Sequence, residues 1–155
     1  MPWLIKCADS HCGRQSRAAN IVDLIAEHRD KKGWFICACG KRGYIEKRFP
    51  LQEARKVWKP FLRGLIPLGA VGYTYQPFVF LVSYEPAGHV TDVWFSYYKD
   101  LRGSGGLLKL GYGPGGPPVL GKPAFLDLLS QLVQTKCFTS KEITSSVGSS
   151  KLDSV

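Results

Sequence analysis

Residues 77–86, PFVFLVSYEP, carry the clearest strand pattern of the chain, and residues 91–100, TDVWFSYYKD, repeat it after a turn-like segment. Both runs are rich in aromatic and β-branched residues, which favour strands. They therefore predict an antiparallel hairpin. Side chains alternate along a strand, and both faces of the first run are apolar. We expect both faces to be covered, with the hairpin inside the core.

The segments on either side of this hairpin differ in character. Residues 102–123 are rich in glycine and proline and predict a loop. Residues 123–136 then predict an amphipathic helix that closes the core, because apolar residues recur at helical spacing: Phe125, Leu128, Leu129, Leu132 and Val133. The small, polar residues 144–155 predict a disordered tail.

The first part of the chain predicts a β-α-β-β order. Residues 3–6 read as a strand, and residues 17–29 as a helix that Lys31, Lys32 and Gly33 bring to an end. Residues 34–37 and 44–49 read as two strands around a glycine-containing turn.

Four prolines across residues 50–77 exclude a long helix, so residues 51–76 predict a connector. It has room for one short helix within 52–58 and is otherwise an ordered loop packed through Trp58, Phe61 and Leu62.

Four cysteines form two close pairs, Cys7-x4-Cys12 and Cys37-x-Cys39. Two pairs of soft ligands on separate turns are typical of a tetrahedral zinc site, with sulfur at about 2.3 Å from the ion. The spacing Cys37-x-Cys39 places both sulfurs on one side of a strand end, and Gly40 lets the backbone turn beneath the metal. His11 or His28 in place of a cysteine, or reduced cysteines that merely pack, are the alternatives. Cys137 stands alone and reads as a packing thiol.

The second pair and its surroundings follow the pattern W-x-x-C-x-C-G-x-x-G-x-I, here Trp34, Cys37, Cys39, Gly40, Gly43 and Ile45. In this respect residues 1–49 resemble a zinc-ribbon type finger, departing from it through the four-residue spacer and the helix between the pairs. The resemblance implies a structural zinc ion and a role in binding nucleic acid or protein. Four thiolates close the coordination shell, which also favours a structural over a catalytic metal.

Charge is concentrated in the same part of the chain. The net charge is +9, and residues 1–64 hold 14 lysines and arginines against 6 acidic residues, while residues 65–155 hold 7 against 6. A local excess of this kind attracts polyanions, of which nucleic acid is the commonest. The candidate phosphate contacts near the cysteines are Arg14, Arg17, Lys31, Lys32, Lys41, Arg42, Lys47 and Arg48. Trp34 and Tyr44 are candidate stacking faces. Tyr84, Trp94, Tyr97 and Tyr98 of the hairpin are a second candidate stacking platform, although aromatic residues on a hairpin with two apolar faces are more typical of core.

The sequence thus predicts an α+β protein with a small zinc-ribbon-like βαββ unit (1–50), a connector (51–76) and a unit of hairpin, loop and packed helix (77–143). Its leading predicted function is nucleic-acid binding, with RNA or single strands favoured. The alternative is a zinc-stabilised adapter that docks on an acidic protein partner. Residues 111–123 lack the phosphate-loop order, and an enzyme is the least favoured of the three functions. No apolar run spans a membrane, and no export signal is evident, so we expect a soluble, cytoplasmic protein.

Overall fold

The computed structural model describes residues 2–46, 49–50, 57–58, 60–69, 74–111, 122–136, 138–139, 141–142 and 144–145. Its elements in chain order are β1 (Trp3–Cys7), β2 (Gln15–Ala18), α1 (Ile21–Glu27), β3 (Gly43–Glu46), β4 (Phe49–Pro50), β5 (Val57–Trp58), β6 (Phe61–Pro67), β7 (Tyr75–Ser83), β8 (Asp92–Asp100), β9 (Leu108–Gly111) and α2 (Lys122–Gln134). A short 3-10 turn, Arg102–Ser104, precedes β9.

Seven of the strands form one sheet in the order β2-β1-β3-β6-β7-β8-β9, and each neighbouring pair is antiparallel. Strands β4 and β5 form a separate two-stranded sheet. Together with helices α1 and α2, these strands give a fold class that is broadly α+β, as predicted. The particular zinc-ribbon-like βαββ arrangement is not confirmed. Strand β3 pairs with β6 through Ile45 and Leu62, so strands from before and after residue 50 share the sheet.

The predicted hairpin is confirmed as β7 and β8, and both faces of β7 are covered. On one face, Phe78, Phe80 and Val82 belong to a core cluster that includes the buried residues of α1. On the other face, Val79 and Leu81 belong to a second cluster, which includes Leu128 and Leu132 of α2. The alternation of side chains along one strand therefore places α1 and α2 against opposite faces of the sheet.

Helix α1 begins four residues later than predicted because Asn20 caps it. The Asn20 side chain accepts hydrogen bonds from the backbone N–H groups of Val22 (2.9 Å) and Asp23 (3.2 Å). The Asp23 carboxylate in turn accepts one from the Ala19 N–H at 2.9 Å. This reciprocal arrangement fixes the start of a helix. Residues 17 and 18, predicted as the start of the helix, instead belong to the edge strand β2, which pairs with β1.

The helix also ends earlier than predicted, and Lys31, Lys32 and Gly33 form a tight turn. One carboxylate oxygen of Asp30 accepts from the N–H groups of Lys32 and Trp34, both at 2.9 Å. Gly33 takes a left-handed φ of 90° at this turn. The strand predicted for residues 34–37 is present as isolated bridges rather than as a regular strand.

The turn at Gly33 lies directly against β6. The Leu65 N–H donates to the Gly33 carbonyl at 2.7 Å, and Trp34 bridges to Gly64. A Cβ at Gly64 would overlap the Gly33 carbonyl oxygen. Glycine at position 64 thus allows two backbones to approach where any other residue would separate them.

The predicted connector loop is wrong for residues 61–67, which form β6. Leu62, Leu65 and Ile66 are buried, and a register shift at Leu62/Gly64 breaks the alternation that a strand prediction relies on. Prolines lie at or near its ends, where a ladder tolerates them. Of the proposed helix within 52–58, residues 57–58 form β5, and residues 51–56 lie outside the described part of the chain.

The C-terminal predictions are partly confirmed. Helix α2 has nearly the predicted bounds, with Leu128 and Leu132 buried, but Phe125 is 45% exposed rather than core. Within the predicted glycine- and proline-rich loop, residues 108–111 form β9 because their backbone pairs with β8. Residues 112–121, Cys137 and residues 146–155 lie outside the described residues.

Candidate metal centre

Cys7 ends β1, and Cys12 lies in the loop that follows. Asp9 organises this loop: its carbonyl accepts from the Cys12 N–H at 3.0 Å, and its carboxylate accepts from the His11 N–H at 3.0 Å. An acidic side chain that bonds the backbone two residues on is a common turn device. The four-residue spacer is therefore a turn built on Asp9.

Cys37 and Cys39 lie at the tip of the second loop. The Cys37 N–H donates to the Lys41 carbonyl at 2.8 Å, and the Gly40 N–H donates to the Cys37 carbonyl at 2.8 Å. Gly40 has a φ of 83°, which favours glycine. The Ala8 N–H donates to the Arg42 carbonyl at 3.0 Å, so backbone hydrogen bonding joins the two cysteine loops directly.

The two loops bring the four predicted cysteine sulfurs together. The Sγ atoms of Cys7, Cys12, Cys37 and Cys39 all lie within 4.8 Å of one another, and those of Cys7 and Cys39 are 3.5 Å apart. Four sulfurs placed tetrahedrally at about 2.3 Å from an ion are separated by about 3.8 Å. The group therefore has the size and the donor chemistry to hold a metal ion.

Neither histidine alternative belongs to this group. The His11 side chain is 96% exposed, and its Nδ1 lies 3.5 Å from a carboxylate oxygen of Asp9. His28 terminates helix α1. Within the part of the chain that the structure describes, the candidate ligand group consists of cysteines alone.

The surroundings affect the thiol pKa values unequally. Burial raises the pKa of Cys7 to about 12 and also raises that of Cys37. A hydrogen bond from the backbone N–H of Lys41 lowers the pKa of Cys39 to about 7. The Cys37 thiol donates to the Arg14 carbonyl at 3.3 Å. A tightly bound cation favours the thiolate of every ligand, and with four thiolates the shell offers no further position for water or substrate.

Two of the predicted phosphate contacts have partners inside the protein. Lys41 Nζ lies 2.6 Å from the Asp9 carboxylate, which raises the pKa of Lys41 and lowers that of Asp9. The Arg42 guanidinium lies 4.2 Å from the centre of the Trp34 ring. Trp34 is 6% exposed and so is not the stacking face suggested by the sequence.

The remaining residues predicted to contact phosphate lie at different places on the protein. Arg14, whose carbonyl faces Cys37, lies beside the cysteines, and Arg17 lies opposite Leu4 on edge strand β2. Lys31 and Lys32 lie at the turn after α1. All four side chains are exposed. The predicted contacts Lys47 and Arg48 are outside the described residues. The structure thus gathers Arg14, Lys41 and Arg42 at the cysteine loops.

No protein family matches the chain, and neither a curated protein nor a solved structure is significantly similar to it. Among the described residues, no helix is long and apolar enough to cross a membrane. The functional argument therefore depends on the geometry of the chain itself.

Proposed function

We propose that the protein binds nucleic acid through basic residues on loops that a structural zinc ion holds in place. The observation that carries the proposal is that two loops supply both the converging sulfurs and the exposed guanidinium groups of Arg14 and Arg42, with Lys41 beside them paired to Asp9. A metal bound between the loops would fix these cations relative to one another.

Zinc is the ion that best suits the donor set. Tetrahedral sites of four thiolates are typical of structural zinc and of iron–sulfur centres, and a single ion among four mutually close sulfurs favours zinc. Zinc with four thiolates carries a formal charge of about −2, which nearby cations offset in part. Phosphate contact then depends on cations that have no internal counterion.

Arg14, beside the first cysteine loop, and Arg17, on the adjoining strand β2, meet this condition, since neither forms an ion pair with any described carboxylate. Arg42 stacks on Trp34 through its face, which leaves N–H donors at the guanidinium edge for phosphate oxygens. Contacts of this type follow the backbone and read no base sequence. RNA or another single strand is the favoured ligand.

The salt dependence of binding tests the proposal. Affinity for a short labelled RNA is measured by fluorescence anisotropy at increasing salt, with wild type and the double variant Arg14→Gln/Arg17→Gln. Loss of two phosphate contacts to a single strand should lower the slope of log K against log salt by about 1.4. Lys136→Gln/Lys141→Gln removes two exposed charges elsewhere and should leave the slope unchanged.

Two further measurements separate the parts of the proposal. Elemental analysis of protein purified without chelator should give one zinc per chain, and absence of any metal would contradict the site. A pull-down with and without nuclease distinguishes the ligand class. Partners that survive nuclease treatment, combined with no RNA binding at low salt, would favour the adapter function instead.

A further inference from the structure

Three aromatic side chains and two lysines share one face of strands β7, β8 and β9. Tyr75 lies opposite Lys99, which lies opposite Lys109. Tyr97 and Phe95 lie two and four residues before Lys99 on β8. They share its face, because alternate residues of a strand point the same way. We call these five residues the aromatic platform: Tyr75, Phe95, Tyr97, Lys99 and Lys109.

Helix α2 covers only the neighbouring part of this face. Leu128 and Leu132 pack with Leu81 and Val79, which belong to the same face of β7 as Tyr75. Tyr75 remains 42% exposed and Phe95 40% exposed. The Tyr75 and Phe95 rings are therefore exposed and Tyr97 is half-buried, in contrast to Tyr98, which is 1% exposed on the opposite face.

The tyrosine rings are held in position. The centres of the Tyr75 and Tyr97 rings are 5.1 Å apart with a 35° angle between the rings. The Tyr97 ring lies over the backbone of Gly111, where a Cβ would overlap the ring. Glycine at position 111 makes room for Tyr97, and Tyr97 supports Tyr75. A ligand that stacks on these rings would find them already ordered.

The platform also carries unbalanced positive charge. Lys99 and Lys109 are directly opposite on adjacent strands, an arrangement that destabilises a sheet. Both are exposed, and neither forms an ion pair with any described carboxylate. A polyanion bound across them would relieve this repulsion.

We propose that the aromatic platform binds single-stranded nucleic acid, with bases stacked on Tyr75 and Phe95 and phosphates contacting Lys99 and Lys109. Exposed rings beside cations are the combination that binds unpaired strands. A duplex hides its base faces, and protein interfaces are depleted of lysine. The ligand class is that of the function proposed above, but the residues are different. Strands β7–β9 lie at the other end of the sheet order from the strands next to the cysteine loops.

The decisive comparison uses three labelled oligomers of about 12 nucleotides, a length within the range that one single-strand-binding domain covers. They are oligouridylate, oligothymidylate and an abasic DNA of the same charge. Wild type should bind the abasic strand more weakly than the other two, by about tenfold or more. Preference for oligouridylate over oligothymidylate identifies RNA as the ligand, and the reverse identifies DNA.

Variants then locate the stacking. Tyr75→Ala should weaken binding to the base-bearing strands about tenfold, with little change for the abasic strand. Tyr75→Phe keeps the ring and should keep the affinity. Tyr84→Ala removes another exposed tyrosine, beyond the end of β7, and should have no effect. Lys99→Gln should lower the salt slope by about 0.7. Unchanged thermal unfolding of each variant shows that the fold is intact.

Equal wild-type affinity for abasic and base-bearing strands overturns the proposal. So does full binding by both Tyr75→Ala and Phe95→Ala, or a concentration-dependent dimer that these variants abolish without changing nucleic-acid binding. If binding depends on Arg14 and Arg17 but not on the platform, the platform fails and the proposed function stands. If it depends on the platform alone, the role assigned to the basic loops fails.

Discussion

The cysteine centre predicts that zinc affinity falls steeply between pH 7 and pH 6. Zinc binds thiolates, so each thiol that is protonated in the free protein must lose its proton when the metal binds. A raised thiol pKa strengthens the competition from protons, and lowering the pH strengthens it further. Affinity must therefore fall as the pH falls.

The individual pKa values set the size of this effect. Cys7, with a pKa of about 12, and Cys37, also raised by burial, are both protonated over this range. Each should weaken binding about tenfold per pH unit. Cys39, with a pKa of about 7, is half ionised at pH 7 and about one-tenth ionised at pH 6, which adds about fivefold. Since these are three of the four thiol ligands, they set a minimum: the affinity should be at least about 500-fold weaker at pH 6.

Competition with a chromogenic chelator at the two pH values measures the ratio. Cys39→Ser should bind zinc more weakly overall and show a pH step about fivefold smaller than that of wild type, because the proton on Cys39 no longer competes with the metal. Cys37→Ser should show a step about tenfold smaller than that of wild type. A wild-type step below about tenfold would show that buried thiols do not supply the ligands.

Three further predictions concern the fold. Gly64→Ala should destabilise the protein by about 3 kcal/mol in urea unfolding, because the new Cβ separates β6 from the Gly33 turn; a change below about 0.5 kcal/mol would contradict the close approach. Asn20→Ala removes the cap of α1 and should lower the free energy of unfolding by about 1 kcal/mol, whereas Asn20→Asp should largely preserve it. The Arg102 guanidinium holds the pKa of Asp100 at about 2. The ion pair therefore stabilises the fold above the unfolded-state pKa of Asp100, near 3.8, and this stabilisation is lost as the pH falls through 2. Asp100→Asn should accordingly be less stable than wild type at pH 7, with a difference that shrinks towards pH 2. An equal difference at both pH values would assign its cause to packing.

The sequence predicted the strands and helices whose structure is determined by their own local residue pattern. The β7–β8 hairpin follows from dense aromatic and β-branched runs, and α2 from apolar spacing that places Leu128 and Leu132 on one side. The grouping of the cysteines follows from two close pairs, each beside a turn. In each case the pattern is set within short stretches: each strand run, the helix, and each cysteine pair.

The remaining elements depend on contacts that the local sequence does not show. Strand β2 has no apolar alternation and exists because its backbone pairs with β1. Strand β6 contains Gly64 at a register shift, so its pattern is interrupted. The pairing of Lys41 with Asp9, and of Arg42 with Trp34, joins residues 8 to 32 positions apart, so sequence spacing identified the cations but not their internal partners.

The central position of β7 has a consequence for the newly made chain. Residues 78–82, FVFLV, have high β-propensity and no charge, proline or glycine, which is the composition of an aggregation-prone segment. In the native protein β6 and β8 occupy both of its hydrogen-bonding edges, and the two core clusters cover both of its faces. That protection requires β6, β8 and both helices to be in place together. Until they are, the strand that completes both cores is also a segment prone to intermolecular pairing, so folding of this region competes directly with aggregation.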